Sequence, residues 1–482
     1  MASYDFDLGV IGGGAAGLTV AAGASQLGVK VLLIDKDERL GGDCLHYGCV
    51  PSKTLIRTAR VRHLMGRAGD FGLPEVELPP VDYSQVVQRI NEVIAEIQVH
   101  DSVERFNSLG VEVRFGKVYF VDAHSVSLNG SKVSARSWVV ATGSSPAVPL
   151  IKGLDEVPYL TNVDLFSLPE LPQSLIVLGG GPIAVEMAQS FQRLGSEVTV
   201  VQRSNQILSR EDEDMARYVM DGMADDGVRF ILGSTIEDVR NVDSGVEVHL
   251  KSGGESITVS ASKLLLAMGR SSNTTGLGLD KIGVELAHGS ITVDARMRTS
   301  VSNIYAAGDV TGKYRFTHAA GYEGGIVISN AVFHLPRKAD YTWLPWCTYT
   351  DPELASVGMN EKAAHKAGLK YKTVIEEFST CDRALTEGEG RGLIKLLLNE
   401  KGKPIGCQLA AVHAGELLSE WIAVLNGRVG LSTLAGAVHP YPTLSEMNKK
   451  VAGKLLGEKL FSDKVRKILK LFFAYRGSEV SV

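Results

Sequence analysis

The chain has 482 residues, of which 44% are hydrophobic and 22% are charged, which is ordinary for a soluble globular protein of two to four domains. Its formal net charge of −5 gives no reason to expect nucleic acid as a partner. No apolar run has membrane-spanning length, and the N-terminus carries acids where a signal peptide needs a basic region. We therefore expect a cytoplasmic protein, in a compartment that keeps thiols reduced.

The first predicted element is a buried strand over residues 6–11, followed by a glycine-rich turn and a helix. Gly12, Gly14 and Gly17 form a Gly-x-Gly-x-x-Gly motif at this turn, and the next predicted strand ends at Asp35. The glycines would let the backbone approach a pyrophosphate at the helix N-terminus, while the acid would accept a hydrogen bond from a ribose hydroxyl. This pattern predicts a dinucleotide-binding βαβ unit.

Two cysteines, Cys44 and Cys49, follow in the block Gly-Gly-Asp-Cys-Leu-His-Tyr-Gly-Cys-Val-Pro-Ser-Lys, residues 41–53. Their spacing fits neither the usual zinc motifs nor the thioredoxin motif, and it is too short for an ordinary loop-closing disulfide. A regular helix would hold the two Cα atoms beyond disulfide reach, but Gly48 can relax the backbone. The pair therefore indicates a dithiol that opens and closes, with a strained and reducible bond.

The middle of the chain predicts a scaffold and a second nucleotide turn. Apolar residues at helical spacing predict one packed helix over residues 83–109. Residues 138–143, 264–269 and 304–309 each predict a strand that ends in a small-residue turn. The last of these ends in Asp309, at the strand end where ligands gather in open α/β sheets.

The glycine pattern recurs after a predicted strand over residues 174–178. Gly179 and Gly181 open a second helix, and the following strand ends in Gln202 and Arg203 instead of an acid. An acid at this place would repel a 2′-phosphate, whereas a neutral amide followed by arginine would accept one. The sequence therefore favours NADPH over NADH, with a solvated loop arginine as the alternative.

Together, these motifs resemble the pyridine nucleotide-disulfide oxidoreductases of the group that contains glutathione reductase, dihydrolipoamide dehydrogenase and mercuric reductase. The resemblance covers almost the whole chain and rests on residues 12–17, 44–53, 141–143, 179–184, 306–309 and 439–446. It implies an α/β fold with two Rossmann-like dinucleotide-binding domains and a C-terminal α+β dimerisation domain. The implied boundaries are 1–150 with 271–342 for FAD, 151–270 for NAD(P), 343–458 for the dimerisation domain and 459–482 for a basic amphipathic extension.

The resemblance also implies roles for single residues. Cys49 is the thiol beside the flavin, Cys44 exchanges with the acceptor, and Lys53 lies near flavin N5 with Glu186 as its ion-pair partner. For Glu186, an ordinary acid early in a helix is the alternative. The residues with which the two dinucleotides are expected to make contact are Gly12, Gly14, Ala16, Gly17, Asp35, Lys36, Gly42, Asp43, Lys53, Ala141, Thr142, Gly143, Gly179, Gly181, Pro182, Ile183, Glu186, Gln202, Arg203, Gly269, Arg270, Gly308 and Asp309.

The C-terminal motif, which the family contributes across a homodimer interface, departs from the common pattern. Tyr441 occupies the place of the acid-base histidine of lipoamide and glutathione reductases, while His439 lies two residues earlier and Glu446 takes the place of the orienting acid. A phenol with a pKa of ~10 is a poor base at neutral pH. Mercuric reductases also have tyrosine here, but they carry a C-terminal cysteine pair, and this chain ends Gly-Ser-Glu-Val-Ser-Val.

Asp43 is a second departure, because the family mostly has threonine before the first cysteine. An acid at this place should raise the pKa of Cys44. The alternatives are a local proton acceptor and an acid that caps its own turn. The other cysteines, Cys347, Cys381 and Cys407, are expected to be small buried side chains. For Cys347 and Cys381, a role in metal transfer is the alternative.

The basic C-terminal segment is also unusual, with nine basic and two acidic residues between positions 449 and 476. Phe461, Val465, Ile468 and Phe472 form an apolar stripe at helical spacing. Such a helix can lie on an anionic membrane or dock on an acidic partner. Packing on its own domain or on the dimer mate is the favoured alternative.

The predicted function is that of a homodimeric flavoprotein with FAD and NAD(P)H, preferably NADPH, that reduces its Cys44–Cys49 disulfide and then an acceptor. The acceptor is a disulfide, a persulfide or a thiol-bound metal ion, and no resident metal is expected. The alternatives are a dihydrolipoamide dehydrogenase, a quinone reductase or NAD(P)H oxidase that delivers electrons directly from the flavin with the dithiol as a switch, and a nicotinamide-sensing interaction protein.

Overall fold

The computed structural model describes residues 4–475. Two compact units are distinguished, Met1–Ile207 with Asp226–Tyr341, and Leu208–Asp225 with Thr342–Val482. Among residues 4–475, no helix combines the length and the apolar character needed to cross a bilayer. The finer division of the first unit into FAD and NAD(P) domains stays a prediction.

The helices of the described chain lie, in order, at α1 (Ala15–Ser25), α2 (Gly42–His46), α3 (Cys49–Gly66), α4 (Tyr83–Gln98), α5 (Val103–Ser108), α6 (Pro182–Leu194), α7 (Glu213–Asp225), α8 (Thr317–Ala331), α9 (Glu361–Lys366), α10 (Asp382–Thr386), α11 (Ala414–Asn426), α12 (Leu431–Gly436), α13 (Glu446–Leu460) and α14 (Asp463–Phe473).

The strands of the first unit lie at β1 (Phe6–Ile11), β2 (Val31–Asp35), β3 (Val111–Phe115), β4 (Val118–Asp122), β5 (Ser125–Leu128), β6 (Ser131–Val140), β7 (Ser144–Pro146), β8 (Tyr159–Leu160), β9 (Ser174–Leu178), β10 (Glu197–Val201), β11 (Arg229–Ile231), β12 (Ser234–Val242), β13 (Gly245–Ser252), β14 (Glu255–Ala261), β15 (Lys263–Leu266), β16 (Arg270–Ser272), β17 (Leu286–Ala287), β18 (Ser290–Ile291) and β19 (Ile304–Ala306). Those of the second unit lie at β20 (Pro345–Thr348), β21 (Glu353–Gly358), β22 (Tyr371–Glu377), β23 (Leu393–Asn399) and β24 (Pro404–Ala411).

The first unit contains two sheets that each hold one glycine turn. One has the order β3-β2-β1-β6-β5-β4 with β19 beside β6; its strands β3, β2, β1, β6 and β19 are parallel, while β5 and β4 are joined antiparallel. The other has the order β11-β10-β9-β15-β8 and is parallel throughout. In the first sheet, Val10 and Leu33 pack in one core and Ile11 and Ile34 in another, so both faces are covered. The α/β class is therefore confirmed.

The helix predicted over residues 83–109 is in fact two helices, so the prediction of one scaffold helix is wrong. α4 ends at Gln98, and the Ser102 hydroxyl accepts a hydrogen bond from the N–H of Arg105 at 3.2 Å. A serine at the N-cap satisfies an otherwise unpaired donor, which favours the start of a new helix. The apolar spacing extended across this break and concealed it.

The second unit is built on an antiparallel sheet of order β20-β21-β24-β23-β22. Its core holds the fully buried Trp421 of α11 beside residues of α13. The segment Leu208–Asp225, which the sequence assigns to the NAD(P) domain, is held in this unit by the buried Lys395. The Lys395 ammonium lies 3.3 Å from Asp212 and 2.6 Å from Asp214.

Candidate active site

The first glycine turn forms a cradle of backbone atoms. Gly12 has φ +110°, and a Cβ atom there would lie 2.3 Å from the carbonyl oxygen of Ala141. A Cβ atom on Gly17 would lie 1.8 Å from Gly12 O, and one on Gly42 would lie 2.8 Å from Gly14 Cα. Gly14 precedes α1 without providing a side-chain cap. The first-turn N–H groups of this helix are therefore suited to a phosphate group.

Asp35 lies at the end of β2 beside this cradle. Its carboxylate accepts hydrogen bonds from the N–H groups of Gly13 and Asp37, the latter at 2.9 Å. Burial raises the pKa of the Asp35 carboxyl, and the two backbone hydrogen bonds oppose that effect. Lys36 is exposed, and its ammonium lies 4.0 Å from the Asp37 carboxylate. The turn therefore has the acid that a ribose hydroxyl requires.

The small-residue turn after β6 is fastened by a residue that the sequence analysis missed. The N–H of Ala141 donates to Ile11 O at 2.8 Å. The Thr142 hydroxyl donates to Asn273 O at 2.7 Å, and the Asn273 amide donates to Thr142 O at 2.9 Å. Gly143 has φ +70° and leaves open space where a Cβ atom would stand. Asn273 is distant in sequence, so local spacing gives no signal for it.

Gly308 and Asp309 follow β19 and lie against the first cradle. The N–H of Gly308 donates to the buried Glu323 carboxylate at 2.7 Å. A Cβ atom on Gly308, which has φ +80°, would lie 3.4 Å from the Cβ of Ala16. The Ser144 hydroxyl donates to Asp309 at 2.6 Å, while burial raises the pKa of the Asp309 carboxyl. The strand-end acid is therefore held in place by hydrogen bonds.

Arg270 joins two of the predicted acids. It begins β16 directly after Gly269, which has φ +126°. Its Nε donates to the Ser144 hydroxyl at 2.7 Å, and its guanidinium lies 3.8 Å from Asp309 and 3.2 Å from Asp43. Asp43, Arg270 and Asp309 therefore form one charge cluster.

This cluster changes the interpretation of Asp43. The pKa of Cys44 is raised by its hydrogen bond with Cys49 and by its burial, and the predicted contribution of Asp43 is not among the main causes. The Asp43 carboxylate contacts Arg270 and, at 3.4 Å, the side-chain amide of Asn162. These partners lie in distant segments, so the acid ties segments together and is more than a cap for its own turn.

The second glycine turn repeats the form of the first. Gly179 has φ +117°, and a Cβ atom there would lie 2.3 Å from Ala267 O. A Cβ atom on Gly181 would meet nothing within 4 Å. Pro182 is the first residue of α6, and the Ile183 side chain is partly exposed. The turn therefore presents an open face at a helix N-terminus, as an anion-binding cradle requires.

Gln202 and Arg203 follow the end of β10. The Gln202 amide donates to the Ser204 hydroxyl at 3.0 Å and accepts from the N–H of Arg203 at 3.1 Å. Arg203 is exposed, and no ion pair engages it within the described part of the chain. Its guanidinium is therefore accessible to an anionic ligand at the place where the sequence predicts a 2′-phosphate.

The two cysteines of the dithiol are separated by Gly48. Cys44 lies in α2 and Cys49 is the first residue of α3, and both are free thiols. A Cβ atom on Gly48 would lie 2.9 Å from Asp43 O, so this close approach requires glycine. The Thr317 hydroxyl, at the start of α8, donates to Cys44 Sγ at 3.1 Å and lies 3.5 Å from Cys49 Sγ. Thr317 contacts both sulfurs and is the main residue that the sequence analysis missed.

The two sulfurs differ chemically. The hydrogen bond from Cys44 lowers the pKa of Cys49 to about 6, with Thr317 and the charge of Lys53 acting in the same direction and burial opposing them. The same sharing of a proton, together with burial, raises the pKa of Cys44. At neutral pH the pair is therefore a thiolate at Cys49 and a thiol at Cys44.

The predicted ion pair between Lys53 and Glu186 is present. Lys53 Nζ lies 2.7 Å from Glu186 Oε2, and the acid is buried on α6 where this helix packs on α3. A buried carboxylate fixes the ammonium in one position. The cation therefore stands one turn after Cys49, where it stabilises negative charge.

The C-terminal motif has different acids from those predicted. The Tyr441 phenol donates to Asp382 at 2.9 Å, and this contact raises the pKa of the phenol. His439 Nε2 lies 3.0 Å from Glu420 Oε1. Glu446, the predicted orienting acid, begins α13 and acts on Tyr441 only as a nearby charge. The sequence missed Asp382 and Glu420 because both lie on other helices.

The remaining cysteines largely follow the packing interpretation. Cys381 and Cys407 are buried, and Cys347 is half-buried with its Sγ 3.9 Å from the Glu353 carboxylate. Burial raises the pKa of Cys407 well above its usual value. Cys407 is therefore a packing residue and not a reactive thiol.

The residues of the first unit fit two dinucleotides. Each glycine turn leaves a helix N-terminus without a side-chain cap, and the first turn also has half-buried acids for ribose or ribitol hydroxyls. The dithiol and Lys53 lie on the helices that follow the first turn. The arrangement suits a flavin nucleotide at α1 and a nicotinamide nucleotide at α6.

Comparison with known proteins gives matches along most of the chain. Residues 6–324 match the family model described as pyridine nucleotide-disulphide oxidoreductase, and residues 344–452 match the dimerisation domain of that family. A mercuric reductase from Bacillus cereus is 35% identical over 448 residues, which cover 92% of this chain and 70% of that protein. A dihydrolipoyl dehydrogenase from Chlamydia trachomatis is 34% identical over 450 residues, which cover 92% and 95%.

A solved structure is similar over the same length. The Cu(II) complex of the HOCl-induced flavoprotein disulfide reductase RclA from Escherichia coli superposes with a TM-score of 0.83 at 28% identity. The match covers 93% of this chain and 99% of that chain. Thus the fold and the order of the motifs are shared with flavoprotein reductases that bear different names.

Proposed function

The chain belongs to the pyridine nucleotide-disulphide oxidoreductase family, and from that membership we propose an NADPH-dependent reductase whose dithiol delivers electrons to a thiol-bound soft metal ion. Its relatives are FAD-dependent enzymes, and this chain is an FAD-dependent NAD(P)H oxidoreductase. Disulfides and persulfides are the alternative acceptors for the same dithiol.

The proposal assigns different tasks to the two sulfurs. Cys49, as the thiolate, faces the flavin, and Cys44 exchanges with the acceptor. FAD, when bound, supplies the two-electron link between the nicotinamide and this dithiol. The Lys53 ammonium, held by Glu186 at 2.7 Å, stabilises negative charge near Cys49. Thr317 holds both sulfurs through its hydroxyl.

The observation that carries the choice of acceptor is the hydrogen bond between Tyr441 and Asp382. Reduction of a disulfide consumes protons, and a nearby acid must protonate the departing thiolate. The contact with Asp382 raises the pKa of the Tyr441 phenol, which makes the phenol a still weaker acid for protonating a departing thiolate. A metal ion held by thiolates needs electrons but no such proton, so this site favours it.

The reaction balances with one NADPH for each two-electron reduction. One Hg²⁺ is reduced to the metal, or two Cu²⁺ are reduced to Cu⁺, and NADP⁺ and a proton are the other products. Cys44 loses its proton when it binds the ion, because metal coordination displaces the proton from a thiol. The names of the relatives, mercuric reductase and a reductase with a Cu(II) complex, support both ions as candidates.

Arg203 supports NADPH as the donor, since its exposed guanidinium follows the end of β10 and an acid is missing there. The chain carries the family's dimerisation domain, and we propose that Tyr441 and His439 of one subunit complete the acceptor site of the other. A reducing cytoplasmic location is part of this proposal, because it suits a dithiol that must reopen after each turnover.

A dihydrolipoamide dehydrogenase is the second candidate, and one observation favours it. His439 Nε2 lies 3.0 Å from Glu420 Oε1, which is an imidazole–carboxylate pair two residues before Tyr441. Such a pair could perform the acid-base task that the phenol performs poorly. Lipoamide reduction that disappears in His439→Gln, with metal-ion reduction unchanged, would establish this function.

The test is an anaerobic acceptor screen with the NADPH-reduced holoenzyme. Hg²⁺ and Cu²⁺, each with excess low-molecular-weight thiol, are compared with lipoamide, glutathione disulfide and coenzyme A disulfide. We expect the metal ions to be reduced faster by at least an order of magnitude. Faster turnover of any disulfide would overturn the choice of acceptor and leave the family membership intact.

A further inference from the structure

α14 presents an apolar face that is largely exposed in the described part of the chain, with Val465 partly covered. None of its residues is buried, and Ile468 and Phe472, on the same face, are 44% and 75% exposed. Leu469 lies on this face too, and Phe473 widens it. The sequence favours packing on its own domain or on the dimer mate, and the exposure of these side chains gives no support to the first of these.

The other face of α14 is basic. Its four cations are accompanied by a single acid, Asp463, which gives the helix a net charge of +3 in a chain whose net charge is −5. The cations flank the apolar face on both sides: Lys464, Arg466, Lys467 and Lys470. An apolar stripe between cations complements an anionic bilayer, because the apolar side chains can contact the acyl chains while the cations contact the anionic headgroups.

The position of α14 in the chain argues against the dimer mate as its partner. The match to the family's dimerisation domain ends at residue 452, and α14 begins at Asp463. α13 contacts β22 of its own sheet, whereas α14 follows after Phe461 and Ser462. The helix is therefore an addition to the family fold and lies outside its matched interface domain.

We propose that α14 is an interfacial helix that attaches the reductase to the surface of an anionic lipid bilayer. Eleven residues at ~1.5 Å each span roughly 16 Å, about half of the ~30 Å hydrocarbon core, so the helix lies in the interface plane. Ile468 and Phe472 face the acyl chains, and the lysines face the headgroups. Aromatic residues at both ends, Phe461 and Phe473, suit the headgroup boundary.

The experiment measures binding of the holoenzyme to phosphatidylcholine vesicles with and without phosphatidylglycerol by flotation, at low and high salt. We expect binding that requires phosphatidylglycerol and decreases with salt. Each of Lys467→Gln and Lys470→Gln should lower the partition coefficient about fivefold. Phe472→Asn should lower it about tenfold or more.

The matched control is Leu73→Asn, which removes an exposed apolar side chain from the first unit. Leu73 is 61% exposed, and Phe472 is 75% exposed. This variant should bind vesicles as the wild type does, and every variant should retain NADPH turnover in solution. The proposal is overturned if the wild type does not bind anionic vesicles, or if Leu73→Asn lowers binding as much as Phe472→Asn. It is also overturned if Phe472→Asn turns the dimer into a monomer by light scattering, because a second copy would then cover the helix.

Discussion

The carboxylate of Asp43 lies 3.2 Å from the guanidinium of Arg270, which connects the residue before the outer cysteine to the first residue of β16. Arg270 also contacts the acid at the end of β19, Asp309, at 3.8 Å. One cation therefore compensates two carboxylates, and the acid beside Cys44 does not act as an isolated charge.

This ion pair predicts an effect on the thiols. Arg270→Met leaves Asp43 uncompensated beside Cys44, so the apparent pKa of the dithiol should rise by about one unit. Asp43→Asn in the same background should restore it. The measurement is the pH dependence of thiol alkylation in the reduced holoenzyme, after FAD content has been checked. Equal pKa values in all variants would limit the pair to a structural role.

The hydroxyl of Thr317 predicts a pH effect at Cys49. The Cys49 pKa of about 6 means that the thiolate forms as the pH rises through about 6, so the activity should rise over the same range. Thr317→Val removes the hydroxyl that lies 3.5 Å from Cys49 Sγ and lowers the pKa of that thiol, so this limb should move upward by about one unit, while Thr317→Ser should retain it. The measurement is kcat/KM against pH, and a limb unmoved in Thr317→Val would contradict this role.

Arg203 predicts the choice of nicotinamide nucleotide. Arg203→Gln should raise the KM for NADPH about tenfold or more, because a charge-assisted contact with the 2′-phosphate is lost, and the KM for NADH should not change. Arg229→Gln, which changes an exposed arginine at the start of the neighbouring strand β11, is the control. An equal loss with both nucleotides would show that Arg203 supports the loop and not the phosphate.

Lys395 predicts a large effect on stability. It is fully buried, and Lys395→Met would leave the buried Asp212 without its cation, at a cost of about 3–5 kcal/mol in the free energy of unfolding. Lys370→Met, which removes an exposed lysine paired with Glu400, should cost less than about 1 kcal/mol. Urea unfolding followed by circular dichroism compares the two, and similar midpoints would contradict the assignment.

Local sequence patterns predicted the local structure well. The strands β1 and β9 begin and end where the sequence predicts, because a strand covered on both faces is mostly apolar. The close contacts of Gly12 and Gly179 follow from the same motif. The resemblance supplied the Lys53–Glu186 pair, which local spacing could not have revealed.

The partners that were missed come from distant segments. Thr317 contacts the sulfurs of Cys44 and Cys49, which lie more than two hundred and fifty residues earlier in the chain. Arg270 contacts Asp43, and the predicted NAD(P) domain lies between them in the sequence. Asp382 and Glu420 replace Glu446 as contacts of the C-terminal motif for the same reason. Tertiary packing decides which polar groups meet, and one sequence does not encode that in its spacing.

The central claim is that electrons leave through Cys44 to an acceptor whose reduction releases no thiolate that must be protonated. The most direct measurement compares Hg²⁺ and lipoamide turnover by the NADPH-reduced wild type and Cys44→Ser under anaerobic conditions. We predict that the wild type reduces Hg²⁺ faster, and that Cys44→Ser still oxidises one equivalent of NADPH but loses turnover with both acceptors. Sustained turnover in Cys44→Ser would contradict the account, since electrons would then leave directly from the flavin.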